Sequence, residues 1–234
     1  MLFDVVIQSS FMQKEPITKG LAVNRYISFY SKRLQNALTS NPKTVALVGN
    51  GDTAVGKGSE IDAHDFVVRI NRAIHFGPAG VKTDALAIIN WSSPGCWMSN
   101  GETPINSDAL ASAKSIWLPM PPEEMEEVKN DQPEIFPWPG YVDFTKEVTE
   151  KLVGNRPTVK FPPMIWRDLT KDLRKLGAER IMAASTGALV LAYLVRVCPK
   201  SRINLYGFTH EGWHGHPWSQ EKILANSHPQ VTIR

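Results

Sequence analysis

Cysteine is scarce in this chain, with two in 234 residues, Cys96 and Cys198, and so few thiols suit a reducing compartment. No run approaches the roughly 18 apolar residues of a membrane span. The first dozen residues carry Asp4 and no basic start, so neither a spanning helix nor a secretory leader is expected. No repeat and no low-complexity linker interrupts the chain. Charge of neither sign dominates: 26 basic against 23 acidic residues is too even to imply nucleic acid, while a pI near 8.8 permits an anionic substrate. With 42% hydrophobic residues, a chain of this length can bury a substantial core in one unit.

The informative stretch is 44–71. Residues 45–48, Val-Ala-Leu-Val, suit a strand buried on both faces of a parallel sheet. Gly49 and Gly51 then allow a sharp turn whose exposed amides can meet a phosphate. Residues 66–70 form a second apolar run. Both runs deliver an asparagine at their carboxyl ends, Asn50 and Asn71, the edge where open α/β sheets bind ligands. Two common phosphate patterns fit poorly. Gly51-Asp-Thr-Ala-Val-Gly56-Lys57 has P-loop spacing, but Gly58 follows the lysine where a magnesium-binding hydroxyl belongs. Gly49-Asn-Gly51-Asp-Thr-Ala54 fits a relaxed dinucleotide fingerprint, but the position about 20 residues on is Asn71, flanked by Arg69 and Arg72, and not an acid for a ribose. That weakens NAD and leaves an NADP-dependent oxidoreductase as the alternative.

Along the rest of the chain, Ile27, Tyr30, Leu34 and Leu38 mark a helix over 21–38. From 91 to 163, prolines, glycines and tryptophans recur and argue for long loops around short elements. Within it, 114–118 reads as a third core strand, and 123–129 and 144–152 as short helices. A longer helix over 164–176 ends at Gly177. A helix over 188–197 and a strand over 203–208 follow. Strands alternating with helices predict an α/β fold, a single Rossmann-like three-layer domain with a mostly parallel central sheet.

The segment 44–90 resembles the large sialylmotif of the eukaryotic-type sialyltransferases, glycosyltransferase family 29. The matching residues are Val48-Gly49-Asn50-Gly51, Ile61-Asp62-Ala63-His64-Asp65, Arg69-Ile70-Asn71, Gly80-Val81-Lys82-Thr83 and Ile88-Ile89-Asn90. Ala184-Ser185-Thr186-Gly187, followed by the strand end Tyr206-Gly207-Phe208, is similar to the small sialylmotif, with Ala184 where the family usually has proline. His216-Pro-Trp-Ser-Gln-Glu221 has the His-x4-Glu form of the very short motif. The resemblance implies a GT-A-like variant of the fold. It divides the chain into an N-terminal helical extension (1–43), a donor-binding part (44–90), acceptor-side loops and helices (91–180) and the two C-terminal motifs (181–234). In animal members a disulfide joins the large and small motifs; here Val45 stands at the first of those positions and Cys198 at the second, so that bridge cannot form. A cytoplasmic, bacterial-style enzyme is implied, acting at the inner face of the membrane if the acceptor is held there.

The implied reaction is inverting transfer of sialic acid, or a related acidic sugar such as Kdo, from a CMP-sugar donor to a glycan or glycolipid hydroxyl, with no metal or other cofactor and no nucleic-acid partner. Ser185, Thr186 and Gly187 open a helix whose amides and dipole favour an anion. Asn50, Gly51, Asn71, Asn90, Gly207, Phe208 and His214 are the other donor-side candidates, and His210 competes with His214 for the phosphate. His216 is the candidate general base, its ordinary pKa near 6.5 suiting the task. Glu221 lies about 140° around an ideal helix from it and is expected to support the loop instead of forming a dyad. Trp91 and Trp97 are candidate acceptor contacts. Each signal has a plainer reading: Ser185 as an ordinary N-cap, Asn50 as a turn residue, the tryptophans as core, and His210, His214 and His216 as a zinc cluster. A non-catalytic nucleotide- or glycan-binding module is the remaining alternative.

Overall fold

A computed structural model describes residues 42–120, 122, 126, 142–179 and 183–234. The helix expected over 21–38 lies outside these residues, as does nearly all of that expected over 123–129.

Among the described residues, seven strands form one sheet in the order β5-β4-β3-β2-β1-β6-β7, every neighbouring pair parallel. β1 (Thr44–Val48) sits between β2 (Phe66–Ile70) and β6 (Arg202–Tyr206), with Val45 opposite both Phe66 and Ile203. β3 (Ala85–Ala87), β4 (Ile116–Leu118) and β5 (Thr158–Lys160) extend one side, and β7 (Val231–Ile233) closes the other. The third core strand is therefore β3, and the run at 114–118 supplies the fourth, shortened to three residues. Ala85-Leu-Ala87 lacks the β-branched residues that mark a strand by composition. Its three residues are nonetheless fully buried.

Successive residues of a strand point to opposite faces, and the core divides accordingly. Val45, Leu47, Phe66 and Val68 pack with Val190, Tyr193 and Leu194 of α6 (Thr186–Val197; α1–α5 are given below). Ala46, Val48 and Val67 instead meet Ile61 of α1 (Gly58–Asp62). Farther along that second face, Leu86, Ile116 and Leu118 contact Met98 of α2 (Ser92–Asn100), Ala109 of α3 (Ser107–Ser112) and Val148 of α4 (Thr145–Val148). A π-turn, Thr149–Val153, continues α4. The result is three layers, helix on sheet on helix. α5 (Pro163–Lys175) starts on a proline, which is pre-set for a first turn, and gives way to Gly177 at φ +92°. It packs Leu169 and Leu173 beside Ala188 and Leu189 of α6. α7 (Trp218–Ser227) crosses near α5, α6 and β7. On the α6 face the rings of Phe161 and Tyr193 stack at 4.1 Å, and Trp117 meets Tyr193 edge-on at 5.4 Å. No helix among the described residues is long and apolar enough to cross a membrane.

Candidate active site

The strand order reverses direction between β1 and β6, and ligands of open α/β sheets bind at such a switch point beyond the carboxyl ends of the strands. A cleft of roughly 300 Å³ lies there, walled by the loops after β1, β2 and β6, the start of α6 and the loop into α7.

The glycines of the first wall hold loop to loop. Gly49 N–H donates to Tyr206 O at 2.7 Å and Gly51 N–H to Gly207 O at 3.1 Å. Both amides are therefore spent within the protein, which corrects the expectation that they face a phosphate. What these residues supply is closeness. A Cβ on Gly49 would lie 2.6 Å from Gly207 O, and one on Gly207, whose φ is +69°, would lie 2.8 Å from Gly51 O.

Of the three strand-end asparagines, two face the cleft. Asn50 donates to Ile70 O (3.3 Å) and accepts from Ile74 N–H (3.2 Å). Asn71, at φ +50°, donates to Thr186 Oγ1 (3.1 Å) and accepts from Ile89 N–H (3.0 Å). Among the described residues each uses one of its two amide N–H groups, which leaves one for a ligand. Asn90 differs. It is 1% exposed, its two N–H groups go to Met120 O (2.8 Å) and Thr145 Oγ1 (2.6 Å), and its oxygen accepts from Met120 N–H (3.1 Å). With nothing left to offer a donor, Asn90 ties the end of β3 to the segment after β4 and to the start of α4.

At the second wall, Ser185 caps α6 by accepting from Ala188 N–H at 3.1 Å. Its own N–H and O–H both donate to the Glu221 carboxylate, each at 2.7 Å. Glu221 thus reaches across from α7 to the small motif, 36 residues away, and does not pair with His216. Burial pushes its carboxyl up to about 7, against the two Ser185 hydrogen bonds, which lower it. Because Ser185 N–H is taken by Glu221 and Ala188 N–H by the cap, the open donors at this helix end are the N–H groups of Thr186 and Gly187, which have no partner among the described residues. Phe208 lines the cleft beside Gly187.

His216 enters from the loop before α7. Its Nδ1 lies 2.7 Å from Ala183 O, a carbonyl, so Nδ1 must carry the proton and Nε2 is left bare. Ala183 N–H in turn donates to Gly215 O at 2.9 Å, tying the two motifs together twice. The imidazole stands between Trp213 and Trp218, both edge-on, at 4.7 and 4.9 Å. Burial lowers its pKa from the usual value, partly offset by the bond to Ala183 O. No side-chain pattern marks Ala183, whose contribution is a backbone carbonyl.

The histidines sort differently from expectation. His214 is exposed and does not line the cleft, whereas His210 does, with neither ring nitrogen bonded among the described residues. Burial, and secondarily the charge of Lys222, lower the pKa of His210. No three His, Cys, Asp or Glu side chains of the described residues converge as metal ligands. The acidic and histidine residues of the large motif are structural: Asp62 accepts from Val81 and Lys82 N–H, Asp65 from Thr44, and buried His64 contacts Asn204 at 2.8 Å. Trp91, 7% exposed, packs with Trp166 and Leu169 and offers no platform; Trp97 is 45% exposed on α2, away from the cleft lining.

The chain is 19% identical to a mammalian sialyltransferase structure, with a TM-score of 0.51, covering 92% of this chain and 82% of that one. The CstII sialyltransferase of Campylobacter jejuni aligns at 13% identity and a TM-score of 0.45, over 82% of this chain and 79% of the other. Among curated proteins, a urease operon 23 kDa accessory protein of Rhizobium meliloti (strain 1021) is 27% identical over 192 residues, 79% of this chain and 88% of the relative. The family model for glycosyltransferase family 29 (sialyltransferase) matches residues 21–225, and the chain belongs to that family.

Proposed function

We propose that the chain is an inverting, metal-independent glycosyltransferase that moves sialic acid, or a related CMP-activated acidic sugar such as Kdo, onto a hydroxyl of a glycan or glycolipid. The observation that carries this reading is the bare Nε2 of His216, its tautomer set by Ala183 O, in the same cleft as a helix N-terminus with two open amides. The N–H groups of Thr186 and Gly187 and the α6 dipole hold the donor phosphate. The spare amide hydrogens of Asn50 and Asn71 bind phosphate or ribose, and the His210 ring lines the cleft from the opposite loop with both nitrogens buried. His216 Nε2 takes the proton of the acceptor hydroxyl as its oxygen bonds to the anomeric carbon from the face opposite CMP. The bond from that carbon to the phosphate oxygen breaks, and its electron pair leaves with CMP. Burial favours neutral imidazole, the form a base needs. Glu221 acts through Ser185 as a positioning residue. Charge development is met by neutral donors, so activity is expected to persist in EDTA.

Calorimetry with CMP and NADP, followed by hydrolysis assays with CMP-sialic acid and CMP-Kdo, tests the reading. CMP binding with turnover of either donor is expected. Tight NADP binding without CMP binding would replace the reading with an oxidoreductase, and CMP binding without hydrolysis or transfer would leave a binding module.

A further inference from the structure

We infer that Trp213 is the platform on which the acceptor sits, stacking the apolar C–H face of a pyranose beside His216. The word acceptor rests on the transferase reading above; the sugar platform does not. A singly exposed tryptophan is ordinarily without consequence. This one is held in place. Its carbonyl accepts from Trp218 Nε1–H at 3.0 Å and from His216 N–H at 3.2 Å. Its six-membered ring lies so close over Gly215 that a Cβ there would come within 2.2 Å of the indole. The surrounding loop turns through two positive-φ residues, His210 (+55°) and Gly212 (+131°). Although anchored in this way, the residue stays 44% exposed.

Position decides the ligand. His216 and Trp218 line the cleft, while Trp213 meets the His216 ring at 4.7 Å and is not part of the cleft lining. It therefore stands beside the base yet outside the cleft that takes the donor, where a second substrate would meet His216. A rigid indole offers a large flat apolar area at little entropic cost. The ligand that matches such a surface is a pyranose, whose ring C–H bonds form one apolar face.

Saturation-transfer NMR with methyl β-galactopyranoside and methyl β-glucopyranoside, without nucleotide, tests the platform in the wild-type chain, Trp213→Ala and Trp213→Phe. Calorimetry with CMP runs alongside. Saturation of ring C–H protons is expected in the wild type, reduced in Trp213→Phe and lost in Trp213→Ala, with CMP affinity within about twofold throughout; the acceptor KM of Trp213→Ala should rise about tenfold. Unchanged saturation in Trp213→Ala, no saturation in the wild type, or a loss that follows Trp97→Ala instead would overturn the inference. A wild-type chain that does not bind CMP would sink the transferase reading, and pyranose saturation that depends on Trp213 would still support the platform.

Discussion

Replacing Glu221 with glutamine should make the protein more stable above neutral pH and leave it little changed in acid. The folded carboxyl is held up at about 7 by burial, against 4.5 for the free group. The native state therefore holds this proton more tightly than the unfolded chain does. Between those two values the folded form binds more protons, so stability falls as pH rises through that window. At about 1.4 kcal/mol per pH unit, the difference amounts to about 3 kcal/mol at pH 8, none of which is present below pH 4. Glutamine keeps an oxygen for Ser185 N–H and carries no charge, so it removes this cost. The assay is urea unfolding of both proteins at half-unit steps from pH 4 to 8. Other carboxylates titrate equally in the two chains and cancel in the difference. The glutamine variant should gain on the wild type progressively, by about 3 kcal/mol across the range. Two stability curves separated by a constant offset would refute the reasoning.

His216→Ala should lower turnover by roughly 10²–10⁴ with CMP affinity retained, and the wild-type rate should rise with pH along a limb centred below 6.5, since burial depresses this imidazole; a limb centred above 6.5 would count against the assignment. Gly207→Ala forces a side chain into φ +69° and within 2.8 Å of Gly51 O, so urea unfolding should register a loss of roughly 1–3 kcal/mol. Asn71→Ala should weaken CMP binding seen by calorimetry, because it removes the spare amide hydrogen and the tie to Thr186, whereas Asn90→Ala should cost roughly 1–3 kcal/mol of stability without a selective change in CMP affinity. His210→Ala should depress donor turnover more than His214→Ala, because His210 faces the cleft.

The strands that build the site were the most legible part of the chain, because Val45–Val48 and Phe66–Ile70 are continuous apolar runs. The asparagines show where legibility stopped. Asn50, Asn71 and Asn90 are alike in residue type and in place at a strand end. Asn90 is consumed by Met120 and Thr145, 30 and 55 residues later, and only the packed sheet sets those neighbours. Helical angle does not relate Glu221 to His216, because His216 precedes α7; what holds Glu221 apart is Ser185, which lies on another element. Likewise the spacing of His210 and His214 could not tell which would turn inward, since the loop reverses at His210 and Gly212, where φ is positive. The glycines of 49–51 carried the right location for the wrong reason: they permit two loops to interlock, and the open amides belong to α6.

The place of β1 in the sheet has a consequence for how the protein is made. Its partners are β2, which follows at once, and β6, which lies roughly 160 residues downstream. On a ribosome adding about 5–20 residues per second, β1 emerges about 10–30 s before β6 can reach it. Throughout that interval one row of its backbone donors and acceptors is open to other nascent chains. The central strand is therefore completed only once β6, in the C-terminal third of the chain, has been made.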